Sequence, residues 1–362
     1  MQKKRIGIVT HYYNSNNYGG MLQAYALTYW LNKAGFDAAQ ICYCKRSNHA
    51  ISGKSVKSSL RALKKRIIKR IIDSRKITFK KFEESIPHTD LVYDDKNIKL
   101  VNDSFDIFIT GSDQVWNFNW YDENYYLSFV SREKKKLSYS ASFGKKDFSE
   151  NELVVLKEKL NDFDFISVRE SDSKAVLEKL LNRDVAATLD PTLLLNADEW
   201  SNVDSNRFSG VHNYVFCYFL TSNKKIRKNA LMFAKKMQKQ IFNIPYLQNT
   251  FEPNDLLFGN HIRDVSPGDF ISLIKNADYI ITDSFHACVF SIIFHKPFFV
   301  YGRDGDMKMN NRINELLSLF DCSDCFLDFD HIPCNFEENI SSNNYYIKKA
   351  QSEAYLLKAL LD

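Results

Sequence analysis

Residues 5–42 read RIGIVTHYYNSNNYGGMLQAYALTYWLNKAGFDAAQIC, and this stretch decides the predicted fold. The Ile- and Val-rich run at 4–10 predicts a buried strand, and a polar loop follows at 14–20. Apolar residues then recur at spacings of three and four over 21–34, which predicts a helix, and 36–42 returns as a strand. A strand, loop, helix and second strand in this order normally form a parallel unit with a right-handed crossover.

The same alternation of strand and helix patterns continues along the chain. It predicts an α/β protein with two doubly wound, Rossmann-like domains. The first predicted domain covers 1–190 and carries a basic helical insert at 54–81. A linker at 191–212 leads to the second predicted domain at 213–345, and a C-terminal helix is expected at 346–362.

The net charge of +5 is distributed unevenly along the 362 residues. The insert at 54–81 contains twelve Lys or Arg residues and one acid, so it carries +11 while the rest of the chain carries −6. Its Leu and Ile residues share one helical stripe, which predicts an amphipathic helix packed on the protein body. Docking of Lys54–Lys81 on the anionic inner leaflet of a membrane is the alternative. Nucleic-acid binding is disfavoured because the segment has almost no aromatic residues to stack on bases.

Missing motifs exclude several function classes. The glycines form neither G-x-G-x-x-G nor G-x-x-x-x-G-K-[ST], which excludes a standard dinucleotide fingerprint and a P-loop. No His is followed directly by a Glu, which excludes an H-E-x-x-H zinc site. The spacing of Cys322, Cys325, His331 and Cys334 matches no zinc pattern, so no metal is expected. Seven scattered cysteines, no secretory signal and no membrane-length apolar run predict a cytoplasmic protein.

Polar clusters stand where the predicted strands end. In open parallel sheets, ligands bind beyond the carboxyl ends of the strands. We therefore expect these clusters to line one cleft between two sheets, with the loop at 14–20 offering flexible hydrogen-bond donors. The clusters are 14–20, 111–117, 140–144, Arg169-Glu170 and 283–286.

Three ionisable side chains in these clusters are the candidates for chemistry. His286 begins a predicted helix, where it can bind phosphate or donate a proton, or else bond a neighbouring carbonyl. Arg169 can hold a carboxylate or phosphate with two nitrogens, or form a salt bridge with Glu170 or Asp172. Asp113 can orient a sugar hydroxyl or act as a base, or it can cap a helix.

Taken together, the blocks resemble the polysaccharide pyruvyl transferase family, and their number and order carry the resemblance. The matching stretches are IGIVT at 6–10, NYGGMLQAYAL at 17–27, TGSDQVWN at 110–117, SYSASFG at 138–144, SVRE at 167–170, LDPT at 189–192, 277–286, 289–292 and Arg312. The resemblance covers most of the chain from residue 5 to about residue 320.

The resemblance implies a fold similar to the two-domain glycosyltransferase type B (GT-B), with the cleft between the domains. It implies transfer of pyruvate from phosphoenolpyruvate to two hydroxyls of a sugar, which gives a cyclic ketal. The acceptor would be a surface polysaccharide or its lipid-linked precursor. Phosphoenolpyruvate would be a co-substrate, and the reaction would demand no cofactor and no metal.

In the family, an Arg at the Arg169 position and a His at the His286 position are implicated in donor binding and catalysis, and the other roles below follow from residue chemistry and position. His286 and Asp113 are expected to be catalytic, and Arg169, Ser284 and Arg312 are expected to bind the donor. The acceptor, or the loops around it, would involve Asn17, Tyr18, Gly19, Gly20, Gln114 and Trp116. Some members carry an Arg at the Ser284 position, so Lys296, Arg303 and Arg312 are candidates to supply the missing charge.

Two other functions fit the same residues. One is a glycosyltransferase of GT-B type that uses a sugar nucleotide as donor. The other is a non-catalytic carbohydrate-binding protein of the same pathway. Release of phosphate from phosphoenolpyruvate, release of a nucleoside diphosphate, and sugar binding without turnover distinguish the three.

Overall fold

The computed structural model describes residues 4–45, 74–247, 250–303, 307–332 and 343–362. Most of the predicted basic insert, including its Leu/Ile stripe, lies outside the described residues. Only its end, residues 74–81, is described, and it belongs to helix α2 (74–83). Cys334 of the rejected zinc pattern also lies outside them.

The first half of the chain forms a parallel sheet around its opening strand, in the order β2-β1-β3-β4. Isolated bridges from Leu137 to Phe165 and from Ala141 to Val168 align the two-stranded pair β5-β6 with the edge at β4. The strands are β1 (Arg5–Val9), β2 (Asp37–Gln40), β3 (Ile107–Thr110), β4 (Lys135–Ser138), β5 (Ser167–Val168) and β6 (Ala186–Ala187).

Helices cover this sheet, and two of them begin at a side-chain cap. The helices are α1 (Tyr18–Lys33), α2, α3 (Glu150–Leu160) and α4 (Ser171–Leu181). Ser149 and Glu152 form a capping box at the start of α3. Helix α1 begins earlier than the sequence predicted, because the side chain of Asn17 accepts a hydrogen bond from the Gly20 amide at 3.3 Å. The residues expected in the loop from Tyr18 to Gly20 are therefore helical.

The second half forms a parallel sheet in the order β11-β8-β7-β12-β13-β14. The order reverses between β7 and β12, which makes that point a topological switch where ligands bind in such sheets. All five residues of β7 are buried, as expected for a strand covered on both faces. The strands are β7 (Tyr214–Tyr218), β8 (Gln240–Asn243), β11 (Asn260–His261), β12 (Tyr279–Thr282), β13 (Phe298–Tyr301) and β14 (Phe326–Leu327), and β9 (Tyr246–Leu247) pairs separately with β10 (Thr250–Phe251).

The helices of the second half are α6 (Lys224–Lys236), α7 (Pro267–Asn276), α8 (Phe285–Ile293) and α9 (Met307–Leu319). Pro267 occupies the first position of α7, and Ser266 and Asp269 form its capping box. The prediction of an α/β protein with two doubly wound parallel sheets is thus confirmed.

Residues 191–212, predicted as a linker, begin with a buried run at 191–195. They contain a 3₁₀ helix at Pro191–Leu194 and the short helix α5 (Ala197–Ser201). Trp200 is fully buried, and its ring lies 4.9 Å from that of Phe290 in α8. This segment therefore joins the two sheets through apolar packing.

Two further contacts hold the halves together. The ring of Tyr18 in α1 stacks on Phe270 of α7 at 4.6 Å, and its hydroxyl donates to the carbonyl of Val265 at 2.9 Å. Helix α10 (Asn343–Leu361) returns to the first sheet, where Tyr355 donates to the carbonyl of Ser138 at 2.8 Å. Among the helices that the structure describes, none combines the length and apolar character needed to cross a membrane.

Candidate active site

A cavity of about 430 Å³ lies at the carboxyl ends of both sheets. The first wall comes from the loops after β1 and β3 and the first turn of α1, and contains His11, Ser15, Asn17, Tyr18, Gly19, Asp113, Gln114 and Trp120. The second wall comes from the other half, and contains Tyr218, Leu220, Phe270, Ser284, Phe285, His286, Arg303 and Arg312. Of the residues predicted for the site, Gly20, Trp116 and Arg169 do not line this cavity.

The first turns of α1 and α8 meet at the cavity. A Cβ atom added at Gly19 would overlap the Nδ1–Cε1 edge of the His286 ring, so only glycine allows the imidazole to lie this close to α1. Ser284, which caps α8, accepts a hydrogen bond from the Ala287 amide at 3.5 Å. Two helix N-termini thus face the same space, and their free amides favour negative charge.

Asp190 connects Arg169 and His286. Its Oδ2 lies 2.8 Å from Nη1 of Arg169 and 3.7 Å from Nε2 of His286. The side chain and amide of Thr192 donate to Oδ1 at 2.7 and 3.0 Å. Burial alone would raise the pKa of Asp190, but the nearby imidazole of His286 and the charge of Arg169 lower it well below its usual range.

Asp190 was not among the residues predicted for the site. The available signal was its place directly after a predicted strand, in the block Leu189-Asp190-Pro191-Thr192. That position puts it at the same sheet edge as the other clusters, whereas its pairing with His286 depends on how the two halves pack.

Arg169 lies behind the main cavity rather than in its wall. It lines an adjoining pocket of about 130 Å³, and its side chain is 6% exposed. Besides Asp190 it contacts Ser142, whose hydroxyl accepts from Nη2 at 2.9 Å, and Glu170 at 3.5 Å. Burial opposes its charge, but the neighbouring carboxylates Glu170, Asp190 and Asp113 raise the pKa of Arg169. The salt bridge with Glu170 weighed from the sequence is therefore present.

Asp113 lies between two guanidinium groups, 3.7 Å from Nη1 of Arg169 and 3.8 Å from Nη1 of Arg312. The turn that places it needs Gly111, whose φ is +134° and whose added Cβ would overlap the Tyr139 carbonyl. Burial would raise the pKa of Asp113, but the positive charges of His286 and the two arginines lower it. Asp113 is therefore ionised at neutral pH.

Arg303 and Arg312 are the arginines of the cavity wall. Burial, followed by repulsion from Arg169, lowers the pKa of Arg312 to about 10, so it remains protonated at neutral pH. Nε of Arg303 donates to the carbonyl of Asp283 at 3.2 Å. Lys296, the third candidate to replace the missing arginine charge at Ser284, does not line the cavity.

Trp116 belongs to the core instead of the predicted acceptor site. It is 1% exposed, stacks on Tyr126 at 5.5 Å, and donates from Nε1 to the carbonyl of Tyr125 at 2.9 Å. The tryptophan that reaches the cavity is Trp120, four residues later. The sequence could not distinguish Trp120 from Trp116, because both are tryptophans that follow the same strand.

His11 is a further wall residue that was not among those predicted for the site. It follows β1, and its ring lies 4.0 Å from that of Tyr125. Burial lowers the pKa of His11 to about 4, against the opposing charges of Asp113 and Asp122. The imidazole of His11 is therefore neutral at neutral pH.

This shift predicts a pH-dependent contribution to stability. As the pH falls from about 6.5 towards 4, the unfolded chain protonates His11 while the folded chain does not, so acid favours unfolding by up to about 1.4 kcal/mol per pH unit. Both His11→Asn and His11→Phe should reduce the pH slope of the free energy of unfolding, measured in urea. The Phe variant keeps a ring beside Tyr125 and controls for packing. If the pH slope of the free energy of unfolding in both variants equalled that of the wild type, the lowered pKa of His11 would be contradicted.

Clusters of three or more His, Cys, Asp or Glu side chains able to hold a metal ion are absent from the described part of the chain. Cys322 and Cys325 are buried, whereas the side chain of His331 is 69% exposed.

Comparison with solved structures identifies the fold. An α-glucosyltransferase solved with UDP and a 13-mer DNA has a TM-score of 0.52 at 10% identity, covering 99% of this chain and 100% of that chain. UDP-GlcNAc 2-epimerase from Neisseria meningitidis, solved with UDP-GlcNAc, gives 0.52 at 12% identity, with 99% and 100% coverage. UDP-N-acetylglucosamine 2-epimerase from Rickettsia bellii gives 0.51 at 12% identity, with 100% and 96% coverage. The expected GT-B-like fold is therefore confirmed.

Comparison of sequences identifies the family. A search of curated proteins finds no match. The family model for polysaccharide pyruvyl transferase matches residues 17–305, a range that contains His286, Asp113 and Asp190. The chain therefore belongs to the polysaccharide pyruvyl transferase family.

Proposed function

We propose that the protein transfers pyruvate from phosphoenolpyruvate to two hydroxyls of one sugar and forms a cyclic ketal. The observation that carries the proposal is the division of charge in the cavity: two arginines, His286 and the start of α8 form one wall, and Asp113 faces them from the other. Phosphoenolpyruvate carries about three negative charges near neutral pH, and such a wall suits it.

The reaction balances without a cofactor. One hydroxyl adds to C2 of the enol while C3 gains a proton and becomes a methyl group. The bond between C2 and the phosphate oxygen then breaks, and the second hydroxyl closes the ring on C2. The two hydroxyl protons balance the proton gained at C3 and the proton carried away by inorganic phosphate. Neither oxidation nor reduction occurs.

Donor binding is assigned to Arg303 and Arg312, with the capped N-terminus at Ser284. A guanidinium group can contact a carboxylate or phosphate with two nitrogens, and both arginines line the same wall. Arg303 thereby supplies the charge that some family members place at the Ser284 position. Arg169 is assigned a positioning role, since its contacts hold Asp190 and Asp113.

His286 is assigned as the acid that protonates C3. Its Nε2 faces Asp190, and its Nδ1–Cε1 edge faces Gly19 at the cavity wall. A carboxylate on one side of an imidazole can hold the ring in a fixed orientation, as in other histidine–aspartate pairs. Asp113, ionised between two arginines, is assigned to orient the attacking hydroxyl by accepting its hydrogen bond.

The test measures phosphate release from phosphoenolpyruvate with lipid-linked and nucleotide-linked sugars as acceptors. The proposal expects release that depends on the sugar and is lost in His286→Gln. Release of nucleoside diphosphate from the nucleotide-linked sugars alone would replace the proposal with the glycosyltransferase alternative. Sugar binding without either product would favour a binding protein.

The close contact at Gly19 yields a further prediction. We expect Gly19→Ala to lower kcat by at least about 100-fold, because the new methyl group displaces the imidazole of His286 from its position beside Asp190. The free energy of unfolding should fall by about 1–3 kcal/mol from overpacking. Gly210→Ala is the matched control, since no atom lies within 4 Å of a Cβ there. Near-wild-type turnover by Gly19→Ala would mean that the position of His286 does not limit the reaction.

A further inference from the structure

Trp120 presents a large apolar surface to the main cavity. Trp120 is 52% exposed, whereas Trp116 and Trp200 are 1% and 0% exposed. It ends the 3₁₀ helix Phe118–Trp120, in the loop after β3 that forms the first wall. An indole face left in water at a cavity wall is suited to an apolar ligand surface.

The indole is held in place by its own loop. Nε1 of Trp120 donates to the carbonyl of Gln114 at 3.3 Å, and the backbone amide of Trp120 donates to the carbonyl of Asn117 at 3.2 Å. The side-chain amide of Asn117 donates to Oε1 of Gln114 at 2.7 Å. Because these bonds fix the ring before a ligand arrives, binding on its face loses little conformational entropy.

The chemistry of the two walls separates donor from acceptor. The second wall carries Arg303, Arg312 and His286, which suit an anionic donor. The first wall places Asp113 and the amide of Gln114 beside Trp120. Amides and a carboxylate form hydrogen bonds with sugar hydroxyls, while an indole covers the C–H groups of a sugar ring.

We propose that Trp120 is the platform on which the acceptor sugar stacks. The class of acceptor is a hexopyranose that turns an apolar face of C–H groups towards the indole, with its hydroxyls directed to Gln114 and Asp113. This inference rests on the proposed function for the reaction that the bound sugar undergoes. The stacking itself is a binding property that can be measured without turnover.

The first measurement is the acceptor KM for the sugar that best supports phosphate release from phosphoenolpyruvate. In Trp120→Ala this KM should rise about tenfold or more, while the KM for phosphoenolpyruvate stays the same. Trp120→Phe retains an aromatic face and should recover most of the loss. Trp30→Phe is the matched control and should behave as wild type, because Trp30 bonds to Glu353 and does not line the cavity. An unchanged acceptor KM in Trp120→Ala overturns the inference and leaves the proposed function intact.

The second measurement is tryptophan fluorescence during titration with methyl galactoside, glucoside and mannoside, without phosphoenolpyruvate. The platform is supported if the sugar quenches fluorescence in the wild type and in Trp30→Phe but not in Trp120→Phe. If this result is obtained without any release of phosphate, only the proposed function fails. Quenching that persists in Trp120→Phe overturns the platform. Absence of both quenching and turnover overturns both.

Discussion

Replacement of Asp190 by Asn is expected to lower the free energy of unfolding by about 3–5 kcal/mol and kcat by about 10²–10⁴-fold. The stability falls because Arg169 remains buried while losing the carboxylate 2.8 Å from its Nη1. The rate falls because His286 loses the carboxylate 3.7 Å from its Nε2, which holds the ring in position. Urea unfolding and phosphate release from phosphoenolpyruvate measure the two effects.

The pH dependence of this effect has a defined sign. Because the pKa of Asp190 is depressed in the folded protein, its stabilising contribution is fully present above about pH 4. It is lost only in more acidic solution, as the pH falls towards the folded pKa. The difference in the free energy of unfolding between wild type and Asp190→Asn should therefore be present at neutral pH and should shrink as the pH falls below about 4.

Asp255→Asn is the matched control for a buried ion pair. Oδ2 of Asp255 accepts from Nη2 of Arg227 at 2.9 Å in the second half, and neither residue lines the cavity. The free energy of unfolding of Asp255→Asn should fall by a similar amount, while kcat of the folded fraction stays at the wild-type value. If Asp190→Asn also kept wild-type kcat, Asp190 would be a structural residue only.

Replacement of His286 by Gln is expected to lower kcat by about 10²–10⁴-fold. The amide of Gln can donate a hydrogen bond but cannot donate a proton to C3, so donor binding should be affected less than the rate. The free energy of unfolding should change little, since the side chain keeps a polar group near Asp190. Initial rates of phosphate release at saturating phosphoenolpyruvate provide the measurement.

His331→Gln serves as the control, because its side chain is 69% exposed and lies outside the cavity. It should retain wild-type kinetics. Full activity in His286→Gln would falsify proton transfer by this residue and restrict it to hydrogen bonding. A similar loss in both variants would indicate a general effect on folding instead.

The sequence predicted most of the elements that form the two sheets. The strands predicted at 4–10 and 36–42 form at Arg5–Val9 and Asp37–Gln40. Each of these elements is a continuous run of residues whose burial pattern repeats along the element itself, so the sequence alone predicts it. The start of α1 was misplaced because glycines normally indicate a loop, whereas here Asn17 caps the helix and Gly19 accommodates His286.

The candidate site was predicted in part. His286, Asp113 and Gln114 line the cavity because each follows a strand at the shared carboxyl edge. The same rule could not place Arg169, which follows β5 but turns into the buried carboxylates behind the wall. Nor could it choose between Trp116 and Trp120.

The sequence alone therefore determined the alternation of strands and helices, the parallel sheets and the edge at which polar residues gather. Periodicity encodes these features locally, because burial repeats with the geometry of each element. Only the tertiary structure decided that Asp190 pairs with both Arg169 and His286, that Trp116 is buried, and that Trp120 faces the cavity. These outcomes depend on how elements far apart in the chain pack against one another, which no local pattern records.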